Sequence, residues 1–246
     1  AIDRSKVLDL EGGLGLHPGL GGFRKLWKTE RLAIVNGVGY PKPNYSHFRS
    51  TEIWYTAQPE KAPTYGWIGR ALDARSSQAP LRALALAKEK PLSFVGGSGG
   101  TVTLTEFSRF RVPTGLGGVV GLYGGSQELA GQLGQVGRAG TEAFAVANTI
   151  ARLTPASGPF YGPLGNQLRK VISLLRADLP LEVIQLDQGG FDTHSNQAGG
   201  HNGLLTALGN NLNAYQEHLE RLGLADSVVT VVFSEFGRRA EENISG

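Results

Sequence analysis

The sequence contains no cysteine and no methionine. Without cysteine there can be no disulfide, no thiolate metal ligand and no cysteine nucleophile, so any metal must be held by nitrogen and oxygen donors. A chain of this length at ordinary usage would hold roughly five methionines, and an initiator would be among them. We therefore expect the sequence to be part of a longer protein, truncated at both ends.

Charge and long apolar runs are also scarce. Charged residues make up 18% of the chain, the net charge is +3, and no run of basic residues is longer than two. This pattern does not favour a nucleic-acid partner, although the pI near 9.2 gives a mild preference for anions. No apolar stretch approaches the roughly 18 residues that cross a bilayer, and no basic-then-apolar leader opens the chain. We expect no membrane span, and the oligomeric state is left open.

What the chain does contain is the pattern of an α/β protein. Its 246 residues, 40% of them hydrophobic, suffice for one domain over residues 1–246. Apolar runs predict strands at Arg31–Val38, in "LEVIQLD" and at Val228–Phe233. A long helix from about Gly200 to Leu222 joins the last two strands, which makes a right-handed parallel βαβ unit. Residues 80–125 alternate short strands with Gly and Pro clusters, which is typical of an insertion or an edge sheet.

Further helices are predicted from caps and apolar spacing. One begins near Pro18, one is capped by Asn44 or Ser46, and one covers Tyr65 to Ala74. Two more fall in "GTEAFAVANTIARL" and "LGNQLRKVISLLRADL".

Reactive polar residues follow three of the predicted strands. Ser46 and His47 follow the first, Asp187 and the stretch "GGFDTHSNQAGGH" follow the second, and Ser234 and Glu235 follow the third. Ligands bind outside the carboxyl ends of the strands in an open parallel sheet. The three groups are therefore expected to share one pocket.

The stretch "GGFDTHSNQAGGH", residues 189–201, has two interpretations. Asp192, His194 and His201 are the oxygen and nitrogen donors that zinc and manganese take, and two histidines with one carboxylate can leave positions open for substrate. Alternatively, Asp192 caps a turn, His194 is exposed and His201 lies in the first turn of a helix. The position after a predicted buried strand, near Glu235, favours the metal loop.

The other candidate residues also have both a functional and a purely structural interpretation. Ser46 at a helix start suits phosphate or sulfate, but a serine there can be only a cap. His47 contacts the site or packs beside Tyr45. Glu235 needs a charged or hydrogen-bonding partner if it is buried. Arg238 or Arg239 could be that partner. Arg238 could instead bind the anionic group of a substrate.

A competing motif is "GGSGG" at 96–100, which fits G-x-S-x-G and precedes Asp and His in the order of an α/β-hydrolase. The nucleophile elbow requires a helix directly afterwards. Because "TVTLTEF" follows, a hairpin loop is favoured over a Ser98 nucleophile.

Taken together, five segments resemble a known family. They are "GLHPGL", "SHFRSTEIWYT", "GWIGRAL", "GGFDTHSNQ" with His201, and "VVFSEFGRRAEEN". The ordered set, which extends over nearly the whole chain, is similar to the bacterial sulfatase-like family called domain-of-unknown-function family 1501. That family is placed in the alkaline phosphatase and sulfatase superfamily. The resemblance implies a three-layer α/β/α sandwich with a mostly parallel sheet.

The resemblance also implies an activity and roles for residues. It points to a hydrolase of small anionic phosphate or sulfate esters, with one or two divalent metals such as zinc, manganese or calcium. Asp192 and His194 would be ligands of one metal with His201 as a third, and Glu235 a ligand of the second. Ser46 would be the nucleophile that attacks phosphorus or sulfur in line. A non-catalytic binding or surface-assembly module that keeps the fold is the alternative.

The sequence departs from the family pattern in three places. Members usually begin with a Gly-Gly-x-Asp-Gly-type turn and continue into a Thr-Asp-His-Gly-type segment, and neither is in this chain. Superfamily ligands are often spaced D-x-x-x-H, whereas Asp192 and His194 are spaced D-x-H. We therefore expect only part of a metal site here. Because many members are exported by the twin-arginine route, the resemblance implies a periplasmic or extracellular location.

Overall fold

The computed structural model describes residues 2–60, 64–77, 79–96, 99–113, 115–195 and 197–238. The chain divides into two compact units. The first unit comprises Ala1–Pro43, Ala156–Arg169 and Gln188–Gly246, and the second comprises Asn44–Pro155 and Lys170–Asp187. Predicted site residues therefore belong to both units.

The first unit is mainly helical. Strands β1 (Leu8–Asp9) and β2 (Gly15–Leu16) pair antiparallel, and helices α1 (Gly21–Lys28) and α7 (Gln197–Arg221) follow later in the chain. The unit also takes the first part of α6 (Gly162–Arg176). Its buried apolar side chains include Leu26, Phe160, Leu164, Leu168, Leu212, Tyr215 and Leu219.

Two close contacts join the helices of the first unit. A Cβ added to Gly22 of α1 would lie 2.0 Å from the carbonyl oxygen of Gly209 in α7, so the two backbones pack at a distance that only glycine allows. The fully buried Asn211 of α7 donates to the Tyr161 carbonyl and accepts from the Tyr161 amide, both at 2.9 Å. Asn211 therefore holds the start of α6 against α7.

The second unit carries a parallel sheet. It contains α2 (His47–Thr56), α3 (Trp67–Asp73), β3 (Ala83–Ala85), β4 (Thr101–Thr103), α4 (Gly117–Ser126), α5 (Gly131–Arg152) and β5 (Val183–Gln185). The strand order is β4-β3-β5, and both pairings are parallel. Leu84 is opposite Val102 on one side and Ile184 on the other. The predicted α/β class is confirmed, and β3, from the 80–125 stretch, is the middle strand of this sheet.

The core of the second unit lies between this sheet and its helices. Ile68, Leu72, Ala83, Ala85 and Phe94 form one buried cluster. Apolar residues on both faces of β3 are what a covered parallel strand requires. Whether residues 80–125 are an insertion, and how many domains the protein has, stay predictions.

A buried arginine connects the elements around this core. Arg82 precedes β3 and is only 4% exposed. Its Nε donates to Glu182 Oε1 at 2.5 Å, and its Nη1 donates to the carbonyls of Leu72 and Arg75 at 2.6 and 3.3 Å. The charge of Arg82 therefore links α3, β3 and the residue before β5.

Most predicted helices are present. A short turn at Pro18–Leu20 leads into α1, Ser46 is the N-cap residue of α2, and α3 lies within the predicted 65–74 range. α5, α6 and α7 correspond to the three helical patterns in the second half of the chain. α4 differs, because it lies in the stretch from which we predicted strands.

Two of the three strands predicted outside residues 80–125 are wrong, and within that stretch the predicted strand at residues 91–95 is a single 3-10 turn, Leu92–Phe94. Among the described residues, neither Arg31–Val38 nor Val228–Phe233 forms a strand, and so the predicted βαβ unit around α7 is absent as well. Val35 is 77% exposed and Val229 is 88% exposed, the opposite of what a central strand would show. An apolar, β-branched run fits a pleated surface only where partners exist, and the described part of the first unit offers just the β1–β2 hairpin.

The approach of α1 to α7 predicts a stability difference between adjacent glycines. Gly22→Ala should lower the free energy of unfolding by about 1–3 kcal/mol, because the new methyl group overlaps the Gly209 carbonyl. Gly21→Ala is the matched control: nothing lies within 4 Å of its Cβ position, and alanine is the better helix former by about 1 kcal/mol. Urea unfolding measures both. Equal effects of the two substitutions would contradict this packing.

The Arg82–Glu182 pair predicts a pH dependence. The hydrogen bond from Arg82 holds the pKa of the Glu182 carboxyl below its ordinary value of 4.5. A lowered folded-state pKa contributes stability above the unfolded pKa, and that stability is lost as the pH falls through the folded value. Glu182→Gln should therefore cost roughly 2 kcal/mol at neutral pH. Unfolding curves should converge with those of the wild type as the pH falls below 4.5, and exposed Glu89→Gln serves as the control.

Candidate functional site

The predicted site residues fall into two groups. Asp192, His194, His201, Glu235 and Arg238 belong to the first unit, whereas Ser46 and His47 belong to the second. Ser98, the less favoured alternative nucleophile, and Arg239 lie outside the described residues.

In the first unit, Asp192 and His194 contact each other. Their closest atoms, Asp192 Oδ1 and His194 Nε2, are 3.2 Å apart in the loop before α7. The side chains are 49% and 83% exposed, so the pair is open to solvent. The D-x-H spacing therefore brings a carboxylate and an imidazole together at the surface, as both interpretations of the motif allow.

Arg238 fixes the backbone of this loop. Its guanidinium donates to the carbonyls of Phe191 and Thr193, at 3.2 and 3.0 Å, and also to Gln197 Oε1. Residues 191–193 and the first residue of α7 are thus held by one side chain from the C-terminal segment. A planar guanidinium with five N–H donors can reach several acceptors at once, which a lysine cannot do.

His201 lies in the second turn of α7 and is half-buried. Its ring packs edge-on against His17 and Phe191, with centroid separations of 5.7 and 6.0 Å. Burial lowers the pKa of the His201 imidazole, and the positive charges of His17 and Arg238 lower it further. These effects favour the neutral ring, which is the form that accepts a proton or binds a metal.

Several buried polar atoms near the loop lack a hydrogen-bond partner. Among the described residues they include Gln188 Oε1, Thr193 Oγ1 and His201 Nδ1, all within one short stretch of the chain. Leaving such a group unsatisfied costs about 1–3 kcal/mol. The stretch 188–201 therefore has unused hydrogen-bonding capacity directed inward, beside the exposed Asp192–His194 pair.

Asp192 and His194 have the spacing of two ligands on one metal ion. Ligands on a tetrahedral zinc with bonds of 2.0–2.1 Å lie about 3.3–3.4 Å apart. The 3.2 Å separation between Asp192 and His194 is close to that value. However, in the described part of the chain no three His, Asp or Glu residues are grouped so as to hold a metal ion. These residues supply two donors and do not complete a metal site.

Glu235 is half-buried and follows Val228–Phe233. We placed it at the end of a central strand, and that strand is absent from the described residues. Its position as a strand-end ligand therefore loses its structural basis, although its role as a ligand stays a prediction of the resemblance.

In the second unit, Ser46 occupies a helix N-terminus as predicted. It is exposed, and within the described structure its hydroxyl makes no capping bond to α2. Asn44 organises the turn instead: its Oδ1 accepts from the Ser46 amide at 2.8 Å, and its carbonyl accepts from the Ser50 hydroxyl at 2.7 Å. The Ser46 hydroxyl is therefore open to solvent beside the positive end of the helix dipole, and the neighbouring His47 is half-buried.

A polar chain at the carboxyl end of β5 was missed by sequence reasoning. Buried Ser93 donates to Gln185 Oε1 at 2.5 Å, and Gln185 Nε2 donates to the Tyr55 hydroxyl at 3.4 Å. Tyr55 in turn donates to Asp187 Oδ1 at 3.4 Å. The position of Asp187 after a strand was a visible signal, whereas Tyr55 showed only the apolar spacing of α2.

Comparison with known families agrees with the motifs. Residues 27–246 match the family described as "Protein of unknown function (DUF1501)". Because the match covers most of the chain, the protein belongs to this family. No curated protein and no solved structure matches the chain.

The contacts of Arg238 predict a test of the loop. Arg238→Met should speed amide exchange in residues 191–195, because three acceptors lose their common donor. It should also raise the pKa of His201, since the arginine charge lowers it. Hydrogen exchange and histidine NMR titration measure the two effects. Arg31→Met, which removes an exposed arginine paired with Asp226, is the control and should leave both unchanged.

Proposed function

We propose that the protein is a hydrolase of phosphate or sulfate esters whose working loop is residues 188–201. The observation that carries this proposal is the set of buried, unpartnered polar atoms at Gln188, Thr193 and His201 beneath the exposed Asp192–His194 pair. Buried polar atoms normally have a hydrogen-bond partner. We infer that a bound ligand supplies partners to those of this loop.

The charges around this loop suit an anionic ester. Arg238 and His17 place positive or ionisable groups beside His201, and His194 is exposed on the same loop. Burial and the neighbouring charges favour the neutral form of His201, which is the form that coordinates a metal ion or accepts a proton. Arg238 itself is occupied by loop carbonyls, so we assign it to holding the loop, with any contact to substrate secondary.

The roles that come only from the family motifs are part of the same proposal. Ser46 is the proposed nucleophile, and its exposed hydroxyl at the N-terminus of α2 is a position that favours anions. Asp192 and His194 are the proposed ligands of a zinc, manganese or calcium ion, with His201 and Glu235 as further ligands. Membership of the alkaline phosphatase superfamily and export from the cytoplasm are proposed on the same ground.

A second function, non-catalytic binding or surface assembly, is favoured by a different observation. The stretch 228–233 exposes Val229, Val231, Val232 and Phe233, and Val35 is exposed in the earlier apolar run. Contiguous exposed apolar surface of this kind commonly marks a place where another protein binds. Such a module would keep the family motifs without turning over a substrate.

Metal content and turnover distinguish the two functions. The full-length protein is assayed for bound metal and for hydrolysis of aryl phosphates and aryl sulfates. We expect Asp192→Asn and His194→Gln each to reduce bound metal, and Ser46→Ala to lower kcat by about a thousandfold or more, as loss of a nucleophile does. Asp9→Asn, which removes an exposed carboxylate elsewhere in the first unit, is the matched control.

Two results would count against different parts of this proposal. Full metal content in both loop variants would overturn the ligand assignment, and absence of turnover in a metal-loaded protein would favour the binding module. Labelling by a fluorophosphonate that survives Ser46→Ala but is lost in Ser98→Ala would instead identify the Ser98 serine hydrolase.

A further inference from the structure

Helix α4 combines an apolar composition with high exposure. Its sequence, "GGVVGLYGGS", has no charged residue, and five of its ten residues are glycine. All ten are described, and none is buried. A helix that is apolar all round is normally covered, by a protein core or by lipid. The surface of α4 therefore calls for a partner that covers it.

The apolar surface continues into α5. We call residues 115–138, which hold α4 and the first turns of α5, the apolar hairpin. Leu122 is 74% exposed and Leu133 is 66% exposed. Four more large apolar side chains of the hairpin are exposed: Leu116, Val119, Leu129 and Val136.

The inner face of the hairpin is well packed, so this exposure belongs to a defined structure. A Cβ on Gly137 would lie 2.6 Å from Ser126 Oγ, and one on Gly140 would lie 2.2 Å from the ring of Tyr123. Tyr123 stacks edge-on with Phe144 of α5 at 5.6 Å. The two helices thus meet through glycines and one aromatic pair, and their leucines and valines are left on the outside.

The charges around the hairpin indicate what covers it. Arg109, Arg111 and Arg138 lie in or beside the hairpin, with Glu128 inside it and Glu106 and Glu142 just outside it. Glu106 is paired with Lys170 at 2.9 Å, so a small excess of positive charge remains. Arg138 donates to the Gln127 carbonyl at 2.8 Å, which places its charge near the tip of α4. Exposed apolar side chains flanked by arginines complement an anionic lipid surface, where the apolar groups enter the interface and the arginines meet headgroup phosphates.

The helix geometry fits an interfacial position. Ten residues at 1.5 Å each give α4 a length of about 15 Å, half the roughly 30 Å hydrocarbon core of a bilayer. Within the described ranges, no helix has both the length and the apolar composition to cross a membrane. Glycine is costly in a helix in water, but a lipid environment favours the helix because its backbone hydrogen bonds are internal.

We propose that the apolar hairpin is a membrane-contact element that inserts into the surface of an anionic bilayer without crossing it. Leu122, Leu133 and Val136 enter the acyl boundary, and Arg109, Arg111 and Arg138 bind the headgroups. This role does not depend on the hydrolase activity, and the surface lies in the second unit, away from residues 188–201 in the chain.

Vesicle co-sedimentation of the full chain tests the proposal. We expect binding to vesicles of phosphatidylglycerol with phosphatidylcholine and much weaker binding to phosphatidylcholine alone. The double variant Leu122→Asp/Leu133→Asp should weaken binding by about tenfold or more, because charged side chains resist burial in the interface. Arg109→Gln/Arg111→Gln should also weaken it by roughly tenfold, and added salt should weaken wild-type binding.

The control is Val229→Asp/Val231→Asp, which charges equally exposed apolar residues of the first unit and should leave vesicle binding unchanged. As a second measurement, tryptophan emission of Leu122→Trp should shift to shorter wavelength on anionic vesicles only. Wild-type protein that ignores anionic vesicles would overturn the proposal. The proposal would also be overturned if the wild type self-associates without binding vesicles and Leu122→Asp/Leu133→Asp abolishes that self-association. The surface would then be assigned to a second copy of the chain.

Discussion

The sheet of the second unit depends on one buried cation. Arg82 lies where β3 begins, and both its backbone and its side chain make hydrogen bonds to neighbouring elements. Its amide donates to the Gly100 carbonyl before β4, and its carbonyl accepts from the amides of Glu182 and Val183 at β5. A buried guanidinium without partners would cost several kcal/mol, so the surrounding elements must supply them. Glu182 and the carbonyls at the end of α3 supply partners for Nε and Nη1, while Nη2 is buried without one in the described structure. These bonds tie α3 and the start of β5 to β3.

The helices could be predicted because their signals are local. The proline at 18, the turn at Asn44–Ser46 and the apolar spacing in the second half of the chain each specify a helix within a few residues. Strands require partners that are distant in sequence, and the apolar runs 31–38 and 228–233 carry no information about whether a partner exists. β3 falls in the 80–125 stretch of predicted short strands, but nothing in the sequence marks it as the middle strand of the sheet. Its pairing on both sides depends on Arg82 and the partners of Arg82.

In the candidate site, too, contacts between residues close in sequence could be predicted and contacts between distant segments could not. Asp192 and His194 are two residues apart, so their contact could be foreseen from the motif. The packing of His201 against His17, and the hold of Arg238 on Phe191 and Thr193, join segments far apart in the chain. No spacing rule predicts them. The sequence suggests Arg238 only as a partner for Glu235 or for a substrate anion. In the structure its hydrogen bonds to the Phe191 and Thr193 carbonyls hold the backbone on either side of Asp192.

The exposed apolar surfaces of the two units suit different partners. The difference is whether the backbone amide and carbonyl groups of the segment are already hydrogen-bonded within it. Residues 228–233 have neither helix nor strand in the described structure, so their amide and carbonyl groups would be poorly satisfied in lipid. Such a segment suits a protein partner that offers an edge to pair with. The hairpin of α4 and α5 satisfies its backbone internally and presents only side chains. Together with the three flanking arginines, this makes lipid the better cover for the hairpin and protein the better cover for the C-terminal apolar run.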